Sequence, residues 1–84
     1  MELTKEEIVS WLSAKFADNF QVDISLIDIR RDFADYGLDS LTAVGLVGEI
    51  EDWLGHDLPV MILWDYSNIC DLSDYLKNEN SPKS

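Results

Sequence analysis

The chain has 84 residues, 46% of them hydrophobic and 11% aromatic, and sets 17 Asp and Glu against 6 Lys and Arg for a net charge of −11. That length holds one domain with a simple core, burying about 60–65% of the unfolded surface, and the composition is that of a folded chain rather than a disordered one. The acidic excess excludes a protein that tracks nucleic-acid phosphates, argues against an anionic membrane surface and favours partners with basic patches.

The single cysteine, Cys70, permits no internal disulfide, and with His56 as the one histidine there is no zinc set. This is cytoplasmic usage, and Cys70 is expected as a small buried hydrophobe. No apolar stretch follows basic residues at the N-terminus, so no signal peptide is expected. The longest apolar run, Val60 to Trp64, is far too short to span a bilayer.

Thr4 followed by Glu7 is a capping box. Ile8, Val9, Leu12 and Phe16 then recur at helical spacing, which predicts a first helix from residue 5 to about 17 with Trp11 at the edge of its apolar arc. In residues 18–38, Phe20, Val22, Ile24 and Leu26 alternate like a strand, but nothing else in the chain offers that strand a partner. A long loop is expected instead, with Ile24, Ile27, Phe33 and Leu38 pinned on the core; loops of that length in small domains are often functional.

Asp39 is a good N-cap for a second helix and Gly55 a good stop, with Pro59 enforcing the break. Val60 to Trp64 gives a short third helix or turn. Asn68, with Asp71 three residues on, caps a fourth helix whose Ile69, Leu72, Tyr75 and Leu76 share a face. The domain is expected over residues 1–77, with 78–84 a flexible polar tail.

Along the second helix, Ala43, Leu46, Val47, Ile50, Trp53 and Leu54 fall within an arc of roughly 120°, the width of a core-facing stripe. The rest should be polar and is not. Leu41, Val44, Gly45 and Gly48 share a second arc with Ser40, Glu51 and Asp52. Either Leu41 and Val44 pack under the long loop, or the arc is a docking surface where another backbone approaches closely. From Asp32 to Leu76 there are ten acids and no Lys or Arg. The one-signed field around Asp35, Asp39, Glu49, Glu51 and Asp52 either steers association or merely solubilises.

Ser40 follows the cap at the first helical position, so its hydroxyl is expected at the exposed rim. The helix N-terminus there favours an anionic substituent, although Asp39 opposes one. A catalytic role fails on geometry. His56 lies at the other end of the helix, about 24 Å away at ~1.5 Å per residue, and Gly37-Leu38-Asp39-Ser40-Leu41 is not a nucleophile elbow. A calcium loop starting at Asp32 has Gly37 at its sixth position, but Ala34, Tyr36 and Ala43 stand where ligands are required. No metal site is expected.

Asp35-Tyr36-Gly37-Leu38-Asp39-Ser40-Leu41 resembles the phosphopantetheine attachment motif of acyl carrier proteins. Leu58-Pro59-Val60-Met61-Ile62-Leu63-Trp64-Asp65-Tyr66-Ser67-Asn68-Ile69 resembles the region that follows it in polyketide-synthase carrier domains, and Phe33 fits the same pattern. The resemblance covers roughly residues 5–77. It implies an all-α, four-helix bundle with a long first loop and a short third helix. It implies that Ser40 carries 4′-phosphopantetheine, transferred from coenzyme A by a phosphopantetheinyl transferase with magnesium, and that the arm's thiol holds acyl or polyketide intermediates as thioesters.

By the same resemblance the protein is no catalyst but a monomeric cytoplasmic carrier in polyketide or fatty-acid synthesis. Its partners would be a ketosynthase, an acyltransferase, modifying domains or a thioesterase, with no nucleic acid and no membrane. Asp39, Leu41, Val44, Gly45, Gly48 and Asp52 would face partners; Asp39 and Leu41, with Val60, Met61 and Ile62, would flank the arm. Asp39 favours an acyl carrier over a peptidyl carrier, where His or another residue often stands. Gly45 and Gly48 depart from the larger or polar residues usual in the family, Met61 replaces a frequent Thr, and Ser67-Asn68 replaces a frequent Pro-Thr. The alternatives are a peptidyl or aminoacyl carrier and an acidic helical interaction module whose Ser40 is never modified.

Overall fold

A computed structural model describes residues 3–80, with side chains through Asn78. The capping box at Thr4 forms as expected. Its hydroxyl accepts from the Glu7 amide at 3.1 Å, and the Glu7 carboxylate accepts from the Thr4 amide at 3.0 Å. Helix α1 runs from Lys5 to Phe20, past the expected end near 17. No glycine or proline stops it there, and it closes only at Gln21, held left-handed at φ 56° with its amide on the Ala17 and Asp18 carbonyls. Ile8, Leu12 and Phe16 of its inner face are buried.

The long loop is a loop among the described residues, and it carries two 3-10 turns, Ile24–Leu26 and Phe33–Tyr36. Its strand-like alternation pairs with nothing. An aromatic ladder pins it instead: Phe33 stacks on Phe16 at 4.4 Å, Phe16 on Phe20 at 5.7 Å, and Phe20 on Tyr36 at 5.4 Å. Backbone bonds finish the job, from the Phe33 amide to the Ser67 carbonyl at 2.8 Å and from the Cys70 amide to the Ile29 carbonyl at 2.9 Å. Phe33 is buried and Ile27 and Leu38 pack against the core. Ile24 does not: it is exposed, because the 3-10 turn that Asp23 caps carries it out over solvent.

Helix α2, Ser40–Leu54, has the expected bounds, with Asp39 as N-cap and Gly55 closing it at φ 79°. Gly37, at φ 85°, ends the second 3-10 turn just before α2, in a conformation that disfavours other residues. Helix α3 is only Ile62–Asp65, and its N-cap Met61 makes no side-chain bond. Helix α4 runs Ile69–Asn80, started by Asn68, whose side chain accepts from the Asp71 amide at 2.8 Å. Residues 78–80 of the expected tail are thus helical, and 81–84 lie outside the described residues.

The core joins Ile8, Leu12 and Phe16 of α1 to Ala43, Leu46, Val47 and Ile50 of α2, Ile62 and Leu63 of α3, and Ile69, Leu72 and Leu76 of α4. At its edge Trp11 of α1 lies flat on Trp53 of α2, with centroids 4.1 Å apart and planes 2° from parallel. The bundle extends 38 × 24 × 19 Å.

Candidate functional site

The α2 N-terminus combines a satisfied cap with a spare hydroxyl. The Asp39 carboxylate accepts from the Thr42 amide at 2.7 Å. That backbone bond holds its carboxyl below the ordinary value of 3.8, so the cap stays ionised. With the cap supplied, Ser40 is left exposed at the first helical position. The residue stands exposed on a helix whose opposite face is buried in the bundle.

The second arc of α2 is a surface and not a lid-covered core. Leu41 is 84% exposed, and Val44, Gly45 and Asp52 are exposed as well, with Gly48 at the margin. A Cβ added at Gly45 or Gly48 would meet nothing within 4 Å. The residues expected to flank the arm differ in exposure. Val60 and Met61 are exposed just before α3, but Ile62 is 1% exposed and belongs to the core. It opens the single turn of α3, and the two residues that begin that turn, Ile62 and Leu63, both point inward.

Charge on this side is not all free for partners. Glu51 accepts from the Leu58 amide at 2.7 Å, tying the α2–α3 loop to the helix. Glu49 faces α1, 3.9 Å from the Lys15 ammonium and 3.2 Å from the Asn19 amide. Asp35 lies 3.9 Å from Arg31. Sequence spacing gave no sign of the Glu51 bond, because Leu58 lies beyond the turn at Gly55.

Trp64 was not singled out by the sequence, yet it stays 46% exposed on α3. The run Val60–Trp64 simply holds more large residues than one helical turn can bury on one side. Cys70 is half-buried rather than enclosed, and accepts a long bond from the Lys5 ammonium at 3.5 Å. Cys70, Asp71 and Asp74 bring ligand atoms within 4.8 Å of one another, but Lys5 already sits there, 2.9 Å from Asp74. His56 is exposed, with its Nδ1 3.1 Å from the neighbouring Asp57 carbonyl oxygen. No helix among the described residues is long and apolar enough to cross a membrane.

The fold is a helical bundle that presents an exposed serine at the head of its second helix. The chain belongs to the family described as the phosphopantetheine attachment site, which matches residues 10–76. It is 31% identical over 74 residues to the acyl carrier protein TtuC of Teredinibacter turnerae, covering 88% of this chain and 85% of that one. It is 34% identical over 64 residues to polyketide synthase 2 of Metarhizium guizhouense, covering 74% of this chain but 3% of the synthase. A free-standing peptidyl carrier protein from Acinetobacter baumannii superposes with a TM-score of 0.88 at 32% identity, over 92% of this chain and 96% of that one. The family is non-catalytic and carries covalently attached 4′-phosphopantetheine. An exposed hydroxyl with no capping duty fits that group, since attachment displaces no hydrogen bond of the fold.

Proposed function

We propose that Ser40 is the residue that carries 4′-phosphopantetheine and that the protein is an acyl carrier for polyketide-type synthesis. The observation that supports this most is the division of labour at the α2 N-terminus: Asp39 caps, and Ser40 is free and exposed. In the transfer, the Ser40 oxygen bonds to the phosphorus that bears the pantetheine of coenzyme A and loses its proton. The phosphoanhydride bond to the nucleotide breaks, and adenosine 3′,5′-bisphosphate leaves. A phosphopantetheinyl transferase with magnesium supplies the base and the electrophilic assistance. Once attached, the arm offers a thiol that holds acyl groups as thioesters.

Everything else this chain contributes is positioning. Asp39, Leu41, Val44, Gly45, Gly48 and Asp52 form the face offered to a ketosynthase, an acyltransferase, modifying domains or a thioesterase, and Val60 and Met61 stand beside the arm. The carrier works as a monomer, and its single cysteine suits a reducing cytoplasm.

Incubation with coenzyme A and a broad-specificity transferase tests the attachment. The protein should gain the mass of one phosphopantetheinyl group, and Ser40→Ala should gain none. An unchanged native mass would leave an unmodified interaction module. The likeness to the Acinetobacter carrier favours a second reading, a peptidyl carrier. The mass of the arm isolated from the native host separates the two: an aminoacyl cargo supports the peptidyl reading, an acyl or ketoacyl cargo the one proposed.

A further inference from the structure

A cavity of about 90 Å³ lies between the first loop and α3, with walls of Phe33, Ala34, Leu38, Leu63 and Trp64. We infer, on the reading that Ser40 bears the arm, that this cavity seats the arm's two geminal methyl groups. The arm then lies down against the loop and α3 instead of trailing free.

Ser40 is not one of the cavity's walls, but it follows one of them closely in the chain. Leu38 is two residues before the serine, so their Cα atoms are no more than about 7 Å apart. The quaternary carbon bearing the two methyls comes a few bonds after the serine oxygen, beyond the phosphate and one methylene. It is the first apolar group of the arm and the one branched hydrocarbon group on it, since the remainder is hydroxyl, amide, methylene and thiol. Its size suits the space. An apolar cavity of about 150 Å³ holds a benzene ring, so one of 90 Å³ takes a smaller, compact group and has no room for a long acyl chain.

The chemistry of the walls agrees. The polar residues at the rim, Asp32 and Ser67, are turned to each other, with the Ser67 hydroxyl donating to the Asp32 carboxylate at 3.4 Å. They demand no polar ligand. Trp64 stands half in water at the edge, a large apolar surface that a methyl group would cover. The methyls carry no charge, so the acidic surroundings do not oppose them as they oppose the phosphate. Rigid walls make the seat definite: Phe33 is locked by its stack on Phe16 and by its amide bond to Ser67.

NMR of the isotope-labelled protein, apo and loaded from coenzyme A, tests this, with mass spectrometry confirming attachment first. Nuclear Overhauser contacts are expected from the arm's methyl protons to the Leu38 and Leu63 methyls and the Trp64 indole, and the Trp64 indole N–H should shift on loading. Ala34→Phe, which fills the cavity, should gain the same mass but lose those contacts. Trp64→Ala, which removes one wall without crowding the core, should weaken those contacts and narrow the methyl lines relative to the loaded native protein. The inference is overturned if the attached arm shows no such contacts. It is overturned equally if only the alkyl end of a hexanoyl-loaded form makes them, or if Ala34→Phe keeps them. A protein that gains no mass overturns the Ser40 assignment, and the seat with it; a protein that gains mass without contacts overturns the seat alone.

Discussion

Asp39 ties the stability of α2 to acidity. The Thr42 amide bonded to its carboxylate lowers its pKa below the ordinary 3.8. A carboxyl that is more acidic folded than unfolded contributes stability above the unfolded value and loses it as pH falls through the folded one. Glu7 acts with the same sign, its carboxyl held below 4.5 by the Thr4 amide. Asp39→Asn keeps a capping oxygen but cannot titrate. Its urea midpoint should therefore fall less steeply than that of the native protein as pH drops below about 4; parallel curves would show that the cap bond is not what acid breaks. Ser73 poses a different problem at the same scale. It is fully buried, and its hydroxyl has no hydrogen-bond partner among the described residues. An unsatisfied buried polar group costs roughly 1–3 kcal/mol, so Ser73→Ala should raise stability by about 1 kcal/mol in urea unfolding. A loss of that size would mean that the oxygen has a partner in solution.

Within elements, the start signals were legible because capping is local chemistry. Thr4, Asp39 and Asn68 each act on an amide three residues away, and the structure bears out all three. The loop was legible only by elimination, since what holds it is tertiary. Nothing in the local pattern says that Phe33 and Tyr36 will meet Phe16 and Phe20. The burial of Ile62 and Leu63 beside exposed Val60 and Met61 was not legible, because a five-residue apolar run has no measurable period. The two faces of α2 could be read because fifteen residues fix a phase, and they respond oppositely to substitution. Leu46→Ala on the buried face should cost about 2–5 kcal/mol. Gly48→Ala meets open space and should stabilise by about 0.8–1.0 kcal/mol through helix propensity. Paired urea titrations check both. A destabilised Gly48→Ala would put that side of α2 against the fold and remove it from the partner face.

Across the whole molecule, the proposed recognition by charge would work against stability. Seventeen acids against six bases leave −11 on a body 38 Å in its longest dimension. The ion pairs Lys5–Asp74, Lys15–Glu49 and Arg31–Asp35 all have exposed partners, where such pairs are worth about 0–1 kcal/mol. They cannot offset the repulsion among the remaining carboxylates, so the folded state carries a strain that the expanded chain relieves. Salt shortens the range of that repulsion to about 8 Å at 0.15 M. Raising ionic strength from about 10 mM toward that value should therefore raise the urea midpoint. The same screening weakens the long-range field that steers a basic partner, so the association rate measured by stopped flow should fall over the same interval. The two slopes separate the roles of the acidic surface. A rate that ignores salt while the midpoint climbs would leave the charge as a solubilising coat and place recognition on Leu41 and Val44 alone.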